Sequence, residues 1–135
     1  MTWCQISVLV MSSNIMHAYV KQNDMVFLTW LALYTTSLLY HYTKFNYPVS
    51  ERFKTPFFYT DVSTVYLTYM IGLYELYRSH AYLSCITHLS TPFLYFGSSY
   101  KHRFMWSEDE KLREFWHSMF HYFVILQSHI YLYLY

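Results

Sequence analysis

The sequence predicts an all-α integral membrane protein, a bundle of about five transmembrane helices in a single domain over residues 1–135. Three observations predict it. Charged residues make up 13% of the chain, well under the roughly 25% of ordinary soluble domains. They are also tightly grouped: residues 1–20, 25–43, 79–100 and 115–135 hold no Asp, Glu, Lys or Arg, and 62–78 holds only Glu75 and Arg78. Each gap approaches the roughly 20 residues with which a helix crosses a bilayer core of about 30 Å. Finally, the helices of a soluble bundle carry charge on their exposed faces, and these stretches are bare of it all round.

The first span, about 3–20, is diluted by Ser, Gln, Asn and His. Such residues are tolerated where they hydrogen-bond between helices, and Asn14 is expected to do so. There is no basic n-region and no small-residue cleavage site, so this stretch does not read as a removable signal peptide. Span two covers about 26–43, and Pro48 and Pro56 break helix in the loop after it. Span three runs 61–78, with Glu75 and Arg78 paired at i, i+3. Span four runs 80–99, kinked at Pro92, with Thr91 placed to satisfy the freed carbonyl. A Ser107–Glu110 capping box announces the helix that becomes span five, about 115–134. Its Tyr-Leu-Tyr-Leu-Tyr ending suits an interfacial aromatic belt.

Lys44, Arg52, Lys54, Lys101, Arg103, Lys111 and Arg113 fall in loops two and four, against only Lys21 and Arg78 in loops one and three. The positive-inside rule therefore places the N-terminus and loops two and four on the cytoplasmic side. A net charge of +1 gives no field to attract nucleic acid. Cys4 and Cys85 stand far apart in apolar stretches, which suggests buried filler and neither a disulfide framework nor a cysteine-based metal site.

Polar side chains inside apolar spans mark where chemistry can sit. His117 and His121 lie one turn apart, on one helix face, as a metal site requires. Eight histidines in 135 residues also produce such spacings by chance, and a pair of packing histidines is the alternative. Ser37 and His41 form Ser-x-x-x-His, a spacing that Ser13/His17, Ser84/His88 and Ser98/His102 share. Sidedness discriminates better. His41 ends span two, Asp61 opens span three, and His117 and His121 open span five, all beside loops two and four. Three neutral imidazoles in that layer can bind a tetrahedral zinc and leave a position for water. Asp61 would orient that water or take its proton, and Ser37 would bond it or a substrate carbonyl. His17 and His80 fall at the opposite side, His88 and His129 lie deeper in their spans, and His102 sits in a charged loop.

The stretches "TTSLLYHYTKF", "YTDVSTVY" and "FWHSMFHYF" together resemble the CREST superfamily: alkaline ceramidases, progestin and adipoQ receptors, hemolysin III, GPI-remodelling and myomaker-like proteins. "HSMFH" and "SSNIMHAY" are most similar to the myomaker-like branch. The resemblance implies His41, His117 and His121 as zinc ligands, with Ser37 and Asp61 as the accompanying polar pair. It covers spans one to three and five. Members of that family have seven spans, so this chain resembles a shortened version, whose lipid cavity a homo-oligomer could complete.

Two functions follow as expectations. The first is a zinc-dependent intramembrane hydrolase of lipid amide or ester bonds, ceramidase-like, with Asp61 as general base and Ser37 or the metal steadying the oxyanion. The second is a non-enzymatic zinc-stabilised membrane protein acting in membrane remodelling or fusion, or as a receptor. A membrane lipid is the expected partner of either.

Overall fold

The computed structural model describes residues 2–44, 47–52, 54–97 and 106–135. Every regular element among them is helical: α1 (Trp3–Val10), α2 (Ser12–Val20), α3 (Asp24–Thr43), α4 (Val49–Arg52), α5 (Pro56–Arg78), α6 (Tyr82–Gly97) and α7 (Glu110–Leu134). Local chemistry sets the starts. Thr2 opens α1 with a capping box, its hydroxyl accepting from the Gln5 N–H while the Gln5 side-chain Oε1 accepts from the Thr2 N–H. Asn23 caps α3, and Thr55 caps α5 with Pro56 in the first turn. That cap starts α5 five residues ahead of the expected 61. At α7 the expected capping box gives way to a cap by Asp109, which accepts from the N–H groups of Lys111 and Leu112. Ser107 instead accepts from the Asp109 N–H. Gln22 and His80 take left-handed backbone at φ 54° and 56°, turning the chain after α2 and α5.

Side-chain contacts between helices fix their directions. Ser7 meets His121 and Ser13 meets His129, so α1–α2 runs parallel to α7. His41 lies beside His117 while Trp30 bonds Ser128, so α3 runs antiparallel to α7. Ser37 bonds Asp61, and Ser79 meets Tyr131, so α5 runs with α7. The core between them is Met11, Ala18, Val26, Trp30, Leu33, Ile125 and Leu132.

The integral membrane bundle of five spans is overturned, and with it the cytoplasmic placement of the N-terminus and of loops two and four. No helix among the described residues is long and apolar enough to cross a membrane. Length fails in two places. Span one is two helices of 8 and 9 residues meeting at Met11, and α6 has 16 residues, against the roughly 20 a crossing needs. Residues 98–99 of the expected span four lie outside the described residues. Apolarity fails in α3, α5 and α7, where Thr, Ser, Tyr and His recur between the Leu and Phe residues; mean hydropathy over the chain is only +0.10. Freedom from charge is not apolarity in these helices.

Smaller expectations also change. Asn14 is fully buried, and neither of its side-chain polar atoms has a partner. Thr91 donates to the Gln127 side-chain Oε1 instead of serving the turn before Pro92. The Glu75–Arg78 pair, by contrast, forms as expected, at 3.0 Å, with the carboxylate buried and the guanidinium exposed.

Candidate metal centre

Three helix positions build the centre. His41 ends α3, and His117 and His121 sit one turn apart on α7, which packs antiparallel to it. Ring centroids lie 4.9 Å apart for His41–His117, 5.2 Å for His41–His121 and 4.6 Å for His117–His121. One nitrogen from each lies within 4.8 Å of the other two, close enough to hold a metal ion. Burial pushes all three imidazoles towards the neutral form that ligates metals. His117 is lowered to about 3, with Lys44 and Arg113 adding to burial. His41 and His121 are held well below the usual histidine range by burial and by the neighbouring histidines.

Hydrogen bonding supports the same use. His41 is completely buried, and neither ring nitrogen has a partner. A buried polar group without a partner is costly, and a metal ion among three imidazoles removes that cost on one nitrogen. His121 is oriented. The Ser7 hydroxyl, fully buried, donates to the Cys4 carbonyl at 2.9 Å and lies 2.8 Å from His121 Nδ1. A hydroxyl has one proton, so Ser7 accepts from His121 Nδ1–H. That bond leaves the lone pair on Nε2, the arrangement by which metal-binding histidines are usually fixed. No spacing in the sequence connects Ser7 with residue 121, and the sequence reading missed it.

The remaining two expected residues meet each other. Ser37, one turn before His41 and 1% exposed, donates to Asp61 Oδ1. Asp61 is itself buried, and burial pushes its carboxyl up to about 6 against the opposing hydrogen bond from Ser37. Ser37, Asp61, His117 and His121 all line one cavity of about 140 Å³, whose other walls include Val26, Leu33, Phe58, Val65 and Leu76. An engineered apolar cavity of about 150 Å³ in another protein holds benzene, so this one takes a small apolar group. A second cavity, about 40 Å³, touches His41 and His117 together with Lys44, Arg52, Arg113 and Glu114. It has room for water.

Other described histidines stand apart. His80 bonds the Tyr82 hydroxyl, His88 stacks on Tyr69 and bonds its carbonyl, and His17 pairs with His129. Ser98, Lys101, His102 and Arg103 lie outside the described residues. Comparison of the chain with protein-family models, curated proteins and solved structures finds no match.

Proposed function

We propose that this chain is a metal-dependent hydrolase of lipid amide or ester bonds, with zinc held by His41, His117 and His121. The observation that carries the reading is that two imidazoles of the three-histidine cluster, His117 and His121, line one largely apolar cavity together with the Ser37–Asp61 pair. A purely structural metal needs neither Ser37 nor Asp61. Zinc suits a three-histidine set that leaves a fourth position open, and the motif resemblance to the CREST superfamily supports the same assignment.

Zinc held there supplies a bound water that ionises near neutral pH and a Lewis acid for the carbonyl oxygen. Asp61 acts as the base. With its carboxyl near 6 it is ionised at neutral pH yet accepts a proton more readily than an exposed carboxylate. Ser37 occupies Oδ1 and leaves Oδ2 to take the proton. Once Asp61 is protonated its pull on the Ser37 hydroxyl weakens, and that hydroxyl can turn to donate to the oxyanion. Asp61 then returns the proton to the leaving amine or alkoxide. The apolar walls seat the end of the acyl chain beside the reacting carbonyl.

The test pairs metal content with product. Wild type and Asp61→Asn are each expected to hold one zinc per chain, with release of fatty acid from ceramide-like amides or acyl esters falling at least 10²-fold in the variant. Metal-replete wild type that cleaves neither class would leave the centre as a staple joining α3 to α7. Well-folded protein with no metal would remove both readings.

A further inference from the structure

His41 and His121 differ in what holds their rings. His121 has the Ser7 hydroxyl, whereas His41, completely buried, has no hydrogen-bond partner at either ring nitrogen. A neutral imidazole carries one N–H and one lone pair. A metal in the three-histidine cluster uses only the lone pair, so the His41 N–H needs an acceptor with or without it. Leaving such a donor buried and unpaired is costly. Metal-binding histidines usually give that second N–H to a carboxylate, a carbonyl or a water. Among the described residues nothing supplies one to His41.

His41 does not border the large apolar cavity. It borders the small one, of about 40 Å³, with His117, Lys44, Arg52, Arg113 and Glu114, so an acceptor can reach it from there. Charge decides what kind. Lys44 pairs with Glu114 at 2.7 Å, Arg52 pairs with Glu110, and Arg113 donates to the Ser107 carbonyl at 2.8 Å. Three cations thus stand against two carboxylates, an excess of one positive charge. Lys44 is buried and both arginines are partly buried, while the nearby acids Glu108 and Asp109 are exposed, where solvent and salt screen them.

We infer that the small cavity is a binding site for a compact planar oxyanion, of formate or bicarbonate type, which accepts the His41 N–H and is held by Lys44, Arg52 and Arg113. A water needs about 10–15 Å³ of such space, so this cavity takes roughly three waters or one anion of three or four heavy atoms. Planar carboxylates match the fork of a guanidinium. The anion fixes the tautomer of His41 as Ser7 fixes that of His121, supplying from solution the outer carboxylate that other metal-bound histidines find in their own chain. The site rests on its lining and stands whether or not the centre is hydrolytic. The carboxylate of a released fatty acid has the same chemistry, and the experiment separates the two sources.

Formate titration of metal-stripped protein, followed by imidazole ¹⁵N shifts at ionic strength fixed with a bulky sulfonate, tests it. His41 should shift saturably while His121, held by Ser7, stays in place. Arg52→Gln and Arg113→Gln should each weaken formate at least tenfold, the loss of one charge-assisted hydrogen bond. Lys111→Gln, on the exposed face of α7, and Asp61→Asn, at the other cavity, should leave it unchanged. Saturation only after zinc is added would put formate on the metal and overturn the site. Affinity unchanged in both arginine variants, or a His41 shift with long-chain fatty acid but none with formate, would overturn it as well.

Discussion

Replacing Ser7 with alanine isolates the orientation of the metal centre from its ligands. Ser7 is fully buried, and its hydroxyl lies 2.8 Å from His121 Nδ1. Removing its hydroxyl strands a buried N–H, at a cost of about 1–3 kcal/mol. His121 can relieve that cost by carrying its proton on Nε2 instead, which takes away the lone pair the metal needs. Loss of such an outer hydrogen bond lowers metal affinity by roughly 10–100-fold, or about 1.4–2.8 kcal/mol at 1.4 kcal/mol per decade. Competition against a chromophoric chelator reads the affinity, and imidazole ¹⁵N shifts read the tautomer of His121. Ser7→Thr keeps a hydroxyl and should retain most of the affinity. If Ser7→Ala bound zinc within twofold of wild type with His121 still protonated on Nδ1, the reasoning that Ser7 sets the ligand atom would be refuted.

Three further outcomes concern stability. The Asp61 carboxyl sits near 6 in the fold against 3.8 when exposed. The stability tied to its protonated form is therefore complete below 3.8 and is lost as pH rises to about 6, a change of about 3 kcal/mol. Asp61→Asn in metal-free protein should gain up to that amount at about pH 8 and nothing near pH 3.5, while wild-type hydrolysis rises through pH 6; denaturant titrations and a pH–rate profile check both halves. Asn14→Leu replaces a fully buried side chain with no partners and should stabilise by about 1–3 kcal/mol, seen as a higher urea midpoint at unchanged slope. A methyl on Gly72 would lie 2.8 Å from His88 Nε2. Gly72→Ala should therefore cost about 1–2 kcal/mol in wild type, but stabilise by up to about 1 kcal/mol in a His88→Ala background, where only helix propensity remains.

What could be read from the sequence was set by the range of each interaction. The Glu75–Arg78 pair spans a single turn and is within reach of local pattern, whereas the Ser107–Glu110 spacing points to a capping box where Asp109 in fact caps the helix. The grouping of His41, Asp61, His117 and His121 came from asking which helix ends lie together. That question needs only that successive helices reverse direction, and the reversal holds between α3, α5 and α6. The membrane assignment asked more of the same pattern. It used missing charge as a measure of transfer free energy, when hydroxyls and imidazoles set much of that energy in these helices. The short α1, the end at Met11 and the length of α6 depend on packing no sequence window reports. Ser7 and Ser13 were hidden for a different reason: their partners are 114 and 116 residues away.

Those two serines follow one rule with opposite results. Each hydroxyl donates to the carbonyl three residues back in its own helix, as Ser7 does to Cys4 and Ser13 to Val10. A hydroxyl so committed can only accept from a neighbouring imidazole. What differs is the nitrogen it meets. Ser7 takes Nδ1 of His121 and leaves Nε2, on the ring's far side, for a partner in the α3–α7 interface. Ser13 takes Nε2 of His129 and leaves Nδ1, which faces His17 on α2. Because α1–α2 runs parallel to α7, one segment reaches both histidines. The same segment thus fixes the tautomer of one histidine in the metal centre and of one in the His17–His129 hydrogen bond.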